Sequence, residues 1–234
     1  MRDHPLGRSA LAEFIGTGLL VTVVVGSGIA AERLSTDTGV QLLATSIATA
    51  LGLGVLILLL APLSGAHFNP MVSAVDTILG RRGGTHLPTP HVAIYVPAQI
   101  VGGIAGVVLA NAMFDTPTAI SGTARATAST LLAEIVATAG LVLVIMGLRR
   151  AGQSAPIIAA AVGAYIGAGY WFTSSTSFAN PAVTVARMFT DTFAGIAPAS
   201  VLPFLAAQVA GAGLAVVLTM WLFPRGVHDG GSSI

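Results

Sequence analysis

Apolar and polar positions along this chain separate into six long apolar stretches, at roughly 9–31, 39–61, 90–113, 128–148, 155–172 and 199–223. A helix that crosses a bilayer needs about 20 mostly apolar residues, so each stretch is long enough to span. Two shorter apolar pieces, about 70–80 and 181–190, remain between them. Ten helical residues reach about 15 Å, roughly half the hydrocarbon thickness. Each short piece must therefore enter and leave by the same face, buried in protein or lining water. Each also opens on an Asn-Pro dipeptide, Asn69-Pro70 and Asn180-Pro181. Asn is a strong helix N-cap and Pro suits the first helical position, so both dipeptides read as helix starts. The pattern predicts an all-α membrane protein with six transmembrane helices and two re-entrant half-helices.

The order of landmarks repeats. Ala12-Glu13-Phe14-Ile15-Gly16-Thr17 opens the first span and Ala133-Glu134-Ile135-Val136-Ala137-Thr138 the fourth. The Asn-Pro pieces follow spans two and five. Ala98-Gln99-Ile100-Val101-Gly102-Gly103 in span three matches Ala207-Gln208-Val209-Ala210-Gly211-Ala212 in span six. The 234 residues thus read as one transmembrane domain holding two repeats, about 9–114 and 128–223. Three spans per repeat make the two halves inverted, with one half-helix dipping in from each face and their N-termini meeting near the midplane. Glycines such as Gly102, Gly103, Gly106, Gly163, Gly167, Gly211 and Gly213 suit close helix packing in lipid.

Composition narrows the function. Only 8% of residues are charged and the net charge is +1, which excludes a basic nucleic-acid footprint; membrane lipid is the expected surroundings. Without cysteine, thiolate metal sites, disulfides and Cys nucleophiles are excluded. The first apolar run is too long for a cleaved signal, whose core is about 7–15 residues, and reads as a retained helix. Cationic residues favour the cytoplasmic side when both termini are placed inside: Arg2, Arg8, Arg81, Arg82, Arg149, Arg150 and Arg225 fall there, against Arg33, Arg125 and Arg187 outside.

Opposed helix N-termini would place positive partial charge at the membrane centre and repel cations. The Asn69 and Asn180 amides could donate to the oxygen of a passing neutral molecule while their carbonyls cap the half-helices. Glu13 and Glu134 are intramembrane carboxylates, a class that is functional by default. His67, just before Asn69, could sense pH or brace its loop. Asp76 and Arg187 share a repeat position, seven residues after their Asn.

Ser64-Gly65-Ala66-His67-Phe68-Asn69-Pro70, Asn180-Pro181-Ala182, the two Ala-Glu openings and the Gln-x-x-Gly pairs together resemble the major intrinsic protein family, the aquaporins and aquaglyceroporins. The resemblance covers almost the whole chain. It implies passive permeation of small neutral solutes through one pore per subunit of a homotetramer; the expected location is the inner (plasma) membrane, with both termini cytoplasmic on the arginine bias. No cofactor or metal is expected. It also implies that Glu13 and Glu134 accept hydrogen bonds from the re-entrant loops.

Two positions depart from the family pattern. Met71 follows the first Asn-Pro where the family has Ala; its flexible side chain could narrow the constriction or pack away from it. Val183 follows Asn180-Pro181-Ala182 where most members carry the arginine of the outer selectivity filter. Loss of a guanidinium removes a fixed charge and five donors and leaves a wider, less polar filter. By family spacing, Ser177, Ala168 and either Thr49 or Leu51 complete that filter. Arg187 would lie about 6 Å further out, anchoring the half-helix at the mouth or pairing with Asp191. The stretches Ser174–Thr184 and Asp191–Pro198 resemble a bacterial subgroup that often accompanies arsenic-resistance genes and passes trivalent metalloid acids such as arsenite. The alternatives are an orthodox water channel and a secondary transporter, since inverted repeats and broken helices build both. A membrane enzyme is a distant third, because no nucleophile elbow, paired catalytic carboxylates or metal-ligand cluster is evident.

Overall fold

The computed structural model describes residues 5–80 and 87–224. Among the described residues, six helices are long and apolar enough to cross a membrane: α1 (Leu6–Leu34), α2 (Thr38–Ser64), α4 (Thr89–Met113), α5 (Ala128–Arg150), α6 (Ala155–Phe172) and α8 (Pro198–Leu222). Two short ones, α3 (Pro70–Gly80) and α7 (Pro181–Ala186), are the half-helices. Among the described residues there is no strand.

Local chemistry sets the boundaries. Asp37 accepts from the N–H groups of Gly39 and Val40 to start α2, and Thr127 forms a reciprocal capping box with Thr130 to start α5. Gly65, at φ 89°, ends α2 in the left-handed conformation that glycine tolerates best. The second half-helix is shorter than the sequence pattern suggested. After Ala186 it tightens into a 3-10 turn over Arg187–Phe189, and Thr190 is extended. The returning chain takes the Arg187 carbonyl, through the Ile196 N–H at 3.2 Å, that a continuing helix would have used.

Helix α1 packs on α2 and α4, and α5 packs on α6 and α8, while α2 against α6 joins the two halves. In lipid no hydrophobic force drives helices together, so close backbone contact must. A Cβ on Gly102 would lie 2.2 Å from the Phe14 carbonyl oxygen, and one on Gly106 2.1 Å from that of Gly18. The matching contact of the second half is Gly211 against Ile135, where a Cβ would come within 2.5 Å of the carbonyl oxygen. Gly213 is different: it faces open space, so packing does not explain it.

Arginines sort by end. Arg8, Arg149 and Arg150 lie at the end where α1 starts and α5 finishes, and Arg33, Arg125 and Arg187 at the other. Arg2, Arg81, Arg82 and Arg225, which give the sequence its charge bias, lie outside the described residues.

Candidate functional site

The site begins with two buried carboxylates. Glu13 of α1 accepts from the Ser64 hydroxyl at 2.6 Å, the N–H groups of His67 at 2.9 Å and Phe68 at 2.7 Å, and the Gln99 amide at 2.7 Å. Glu134 of α5 accepts from the equivalent groups: the Ser175 hydroxyl at 2.7 Å, Phe178 and Ala179 N–H at 2.9 Å each, and the Gln208 amide at 2.6 Å. Both carboxylates are completely buried. Four donors apiece satisfy the lone pairs that burial would otherwise leave exposed to an apolar interior. The same bonds hold the two re-entrant loops open.

Those loops are wound in a strained backbone. Ala66 and Phe68 have φ near +50°, and so do their counterparts Ser177 and Ala179. Non-glycine residues there cost about 1–3 kcal/mol each, sustained only where the surroundings over-determine them. The carboxylates do that by capturing one row of N–H groups. The carbonyls of Gly65, Ala66 and His67, and of Ser177 and Phe178, receive no hydrogen bond from the described residues.

The half-helices meet through their asparagines. Asn69 Nδ2 donates to the Ala179 carbonyl at 2.8 Å and Asn180 Nδ2 to the Phe68 carbonyl at 2.7 Å. Each side-chain oxygen caps its own helix, accepting from Met71 N–H in one case and from Ala182 and Val183 N–H in the other. An amide nitrogen carries two hydrogens, so each Asn keeps one donor for the cavity it borders.

That cavity, of about 80 Å³, is lined by both asparagines, the loop residues Gly65 to Phe68, and Ser177 and Phe178. A water needs roughly 10–15 Å³ by this measure, so several fit in file. The opposite wall is apolar: Leu20, Val24, Leu53, Ile57, Leu141, Ile145, Val162 and Ile166. A stripe of acceptors and two amide donors therefore runs along a greasy tube.

The sequence-derived residues fall into three groups. Asn69, Asn180, His67, Ser177, Thr49 and Val183 border the cavity. Pro70, Pro181 and Ala182 lie behind it in the half-helices, and Met71 packs its half-buried side chain against the core rather than into the bore. Leu51 and Ala168 correct the filter expected from family spacing. Leu51 is 67% exposed on the outer face of α2, and Ala168 is exposed on α6; neither borders the cavity.

Thr49, the other residue that the spacing offers in α2, borders the cavity, and so does Tyr170 of α6, which sequence spacing missed. The two hydroxyls lie 3.1 Å apart. Tyr170 continues the α6 series Ile158, Val162, Ile166, one residue per turn along the cavity. Ser177 Oγ is buried without a partner among the described residues and packs against Gly169, the residue before Tyr170.

Arg187 is the second correction. It is 5% exposed and borders the cavity, with its guanidinium carbon 3.5 Å from the centre of the Phe178 ring and its Nε donating to the Ala194 carbonyl. It does not pair with Asp191, which accepts instead from Gly122 N–H at 3.0 Å. At the far end Arg149, also bordering the cavity, donates to Asp76 at 2.5 Å, and Asp76 accepts from Leu87 N–H at 2.8 Å. His67 donates to or accepts from Ser73 through Nδ1 at 3.0 Å, and its Nε2 is buried 3.9 Å from Asp76 with no hydrogen-bond partner among the described residues.

Comparison with known proteins fits this geometry. The sequence model of the family described as "Major intrinsic protein" matches residues 1–177. Aquaglyceroporin AqpS of Rhizobium meliloti (strain 1021) is 48% identical over 224 residues, covering 95% of this chain and 93% of that protein. A probable TIP-type aquaporin of Medicago truncatula is 34% identical over 193 residues, covering 76% and 73%. The X-ray structure of the aquaglyceroporin from Plasmodium falciparum superposes with a TM-score of 0.72 at 21% identity, covering 94% of this chain and 96% of that one.

Proposed function

The chain belongs to the major intrinsic protein family, and on that premise we propose that its pore is tuned to uncharged solutes larger than water, glycerol-like polyols and trivalent metalloid acids such as arsenite. The protein is a passive membrane channel for water and small neutral solutes, not an enzyme.

The observation that carries the solute class is Val183 bordering the cavity where the family's filter places a guanidinium. An isopropyl group there neither donates nor carries charge, and it occupies far less of the bore. The same cavity is bordered by Thr49, Tyr170 and Ser177, which bring hydroxyls and an aromatic ring to its lining, the Thr49 and Tyr170 hydroxyls lying 3.1 Å apart. Polyols and As(OH)3 have the same two-sided character: hydroxyls to exchange hydrogen bonds, and apolar or compact flanks. The Tyr170 ring makes this filter amphipathic rather than small on every side, so its width rests on Val183.

Transit then needs no coupled step. A hydroxylated solute sheds water, donates to the free carbonyls of Ser177 and Phe178, accepts from the spare amide hydrogens of Asn180 and Asn69, and leaves along the Gly65–His67 carbonyls. Each replaced hydrogen bond offsets part of the desolvation cost. The apolar wall offers an ion nothing comparable.

We place the channel in the plasma membrane with both termini in the cytoplasm, on the arginine bias of the whole sequence. Family membership supports a homotetramer with one pore per subunit and the reading of the chain as a single domain of inverted repeats. Stopped-flow light scattering on proteoliposomes, with water, glycerol, urea and arsenite in turn, tests the function. Flux should rise linearly with each solute gradient and need no ion gradient. Saturable flux driven by protons or sodium would identify a transporter, and water flux alone an orthodox water channel.

A further inference from the structure

We propose that Arg187 is the cation-excluding residue of this pore, so that solute size and solute charge are selected by different side chains one helical turn apart. The inference rests on the pore reading above. Loss of the filter arginine would ordinarily take away two properties together, a narrow bore and a fixed positive charge. Here the bore is opened by Val183, while a guanidinium still borders the same end of the cavity.

Three observations set Arg187 apart from a structural brace. Its plane is fixed from two sides, by the Ala194 carbonyl at Nε and by the Phe178 ring at 3.5 Å. Phe178 is itself held, edge to face on Phe204 at 5.3 Å and through its N–H on Glu134. The Nη groups, in contrast, have no acceptor among the described residues, although the side chain is buried and borders the cavity. Nor is its charge cancelled. Among the described residues no carboxylate lies within ion-pair distance, whereas Arg149 at the other end is paired with Asp76. Finally, α7 has only six residues, so its dipole supplies less of the central positive potential than an eleven-residue α3 does. The explicit charge lies at the end where the dipole is weaker.

Repulsion between unit charges a few ångströms apart in a poorly solvated bore changes partitioning by well over tenfold. A neutral solute feels none of it. The test uses the full chain in proteoliposomes, with glycerol flux by light scattering, proton leak by an internal pH dye, and guanidinium uptake. Arg187→Gln should raise proton or guanidinium leak at least tenfold while glycerol flux stays within about twofold. Arg187→Lys, which keeps the charge but loses the planar stack, should remain tight. Val183→Asp, which leaves Arg187 in place but sets a carboxylate one turn away, should leak like Arg187→Gln. A glycerol-permeable Arg187→Gln protein as tight as wild type overturns the assignment. So does an Arg187→Lys protein that leaks as much as Arg187→Gln, which would show a brace. If Arg187→Gln does not assemble, a Val183→Asp protein that conducts glycerol and stays tight overturns it instead. Absence of glycerol flux in the wild type would count against the pore reading, not against Arg187.

Discussion

At the centre of the molecule the two halves of the chain are braced by equivalent hydrogen bonds; at the two mouths of the cavity they differ. Glu13 and Glu134 each collect four donors from equivalent residues, and Asn69 and Asn180 each reach across to the other loop. Seven residues beyond each asparagine the match ends. Asp76 neutralises the Arg149 guanidinium at one mouth, while Arg187 carries an uncancelled charge at the other. Parts that must hold two strained loops in register tolerate little change, because every donor there is buried and needs its acceptor. Parts that meet the solute can diverge, since each mouth needs only to be polar enough and wide enough.

The largest effects are expected where the halves agree. Glu13→Ala or Glu134→Ala strands two buried backbone N–H groups and two side-chain donors, at about 1–3 kcal/mol for each. Each variant should lose most of its folded yield, measured by monodisperse protein recovered in detergent, and the two should suffer alike. A mild phenotype in one half would break the equivalence of the braces.

Gly106→Val is expected to be somewhat less severe. Its side chain would drive α4 from α1, where the Cβ position lies 2.1 Å from the Gly18 carbonyl oxygen. Overpacking of this kind typically costs about 1–3 kcal/mol, and backbone offers less relief than a side chain. Thermal unfolding should show a clear drop in Tm. Gly213→Val, facing open space, should leave it within a degree or two of wild type by the same measurement.

Asp76→Asn tests the mouths and should have the smallest effect. Asp76 is buried, but its partner Arg149 is about a third exposed and can turn to water, and an asparagine oxygen can still accept from Leu87 N–H, so about 1–2 kcal/mol is at stake. Glycerol flux should stay within about twofold, because the freed guanidinium confronts a neutral solute. A collapse of flux would mean that Arg149, once released, closes that mouth.

How much of this was legible follows from which features repeat. The half-helices, the carboxylate braces and the asparagines are spelled twice in the sequence, and each copy supports the reading of the other. The filter wall from α6 is spelled once, on a helix that is apolar all round. Ile158, Val162 and Ile166 look no different from the lipid-facing residues between them, so periodicity cannot single out the inward face, and family spacing alone points to Ala168 rather than Tyr170. In α2 the inward face is marked by polar Thr45, Ser46 and Thr49, a signal that favours Thr49 over Leu51. The burial of Arg187 against the cavity is hidden from the sequence for another reason. A straight helix to residue 190 carries it outward, but the chain turns back after Phe189, and the Ala194 carbonyl and the Phe178 ring hold it against the cavity. That turn depends on contacts made by residues downstream, which local propensity does not register.

The central claim, that Val183 opens the filter to solutes larger than water, is tested most directly by Val183→Arg. Glycerol, arsenite and water permeabilities would be measured in vesicles matched for protein content. An added guanidinium at this position fills the bore and binds water through its planar fork. Glycerol and arsenite flux should fall about tenfold or more while water flux falls only a few-fold, so the large-solute-to-water ratio drops. A ratio that stays level or rises would contradict the claim.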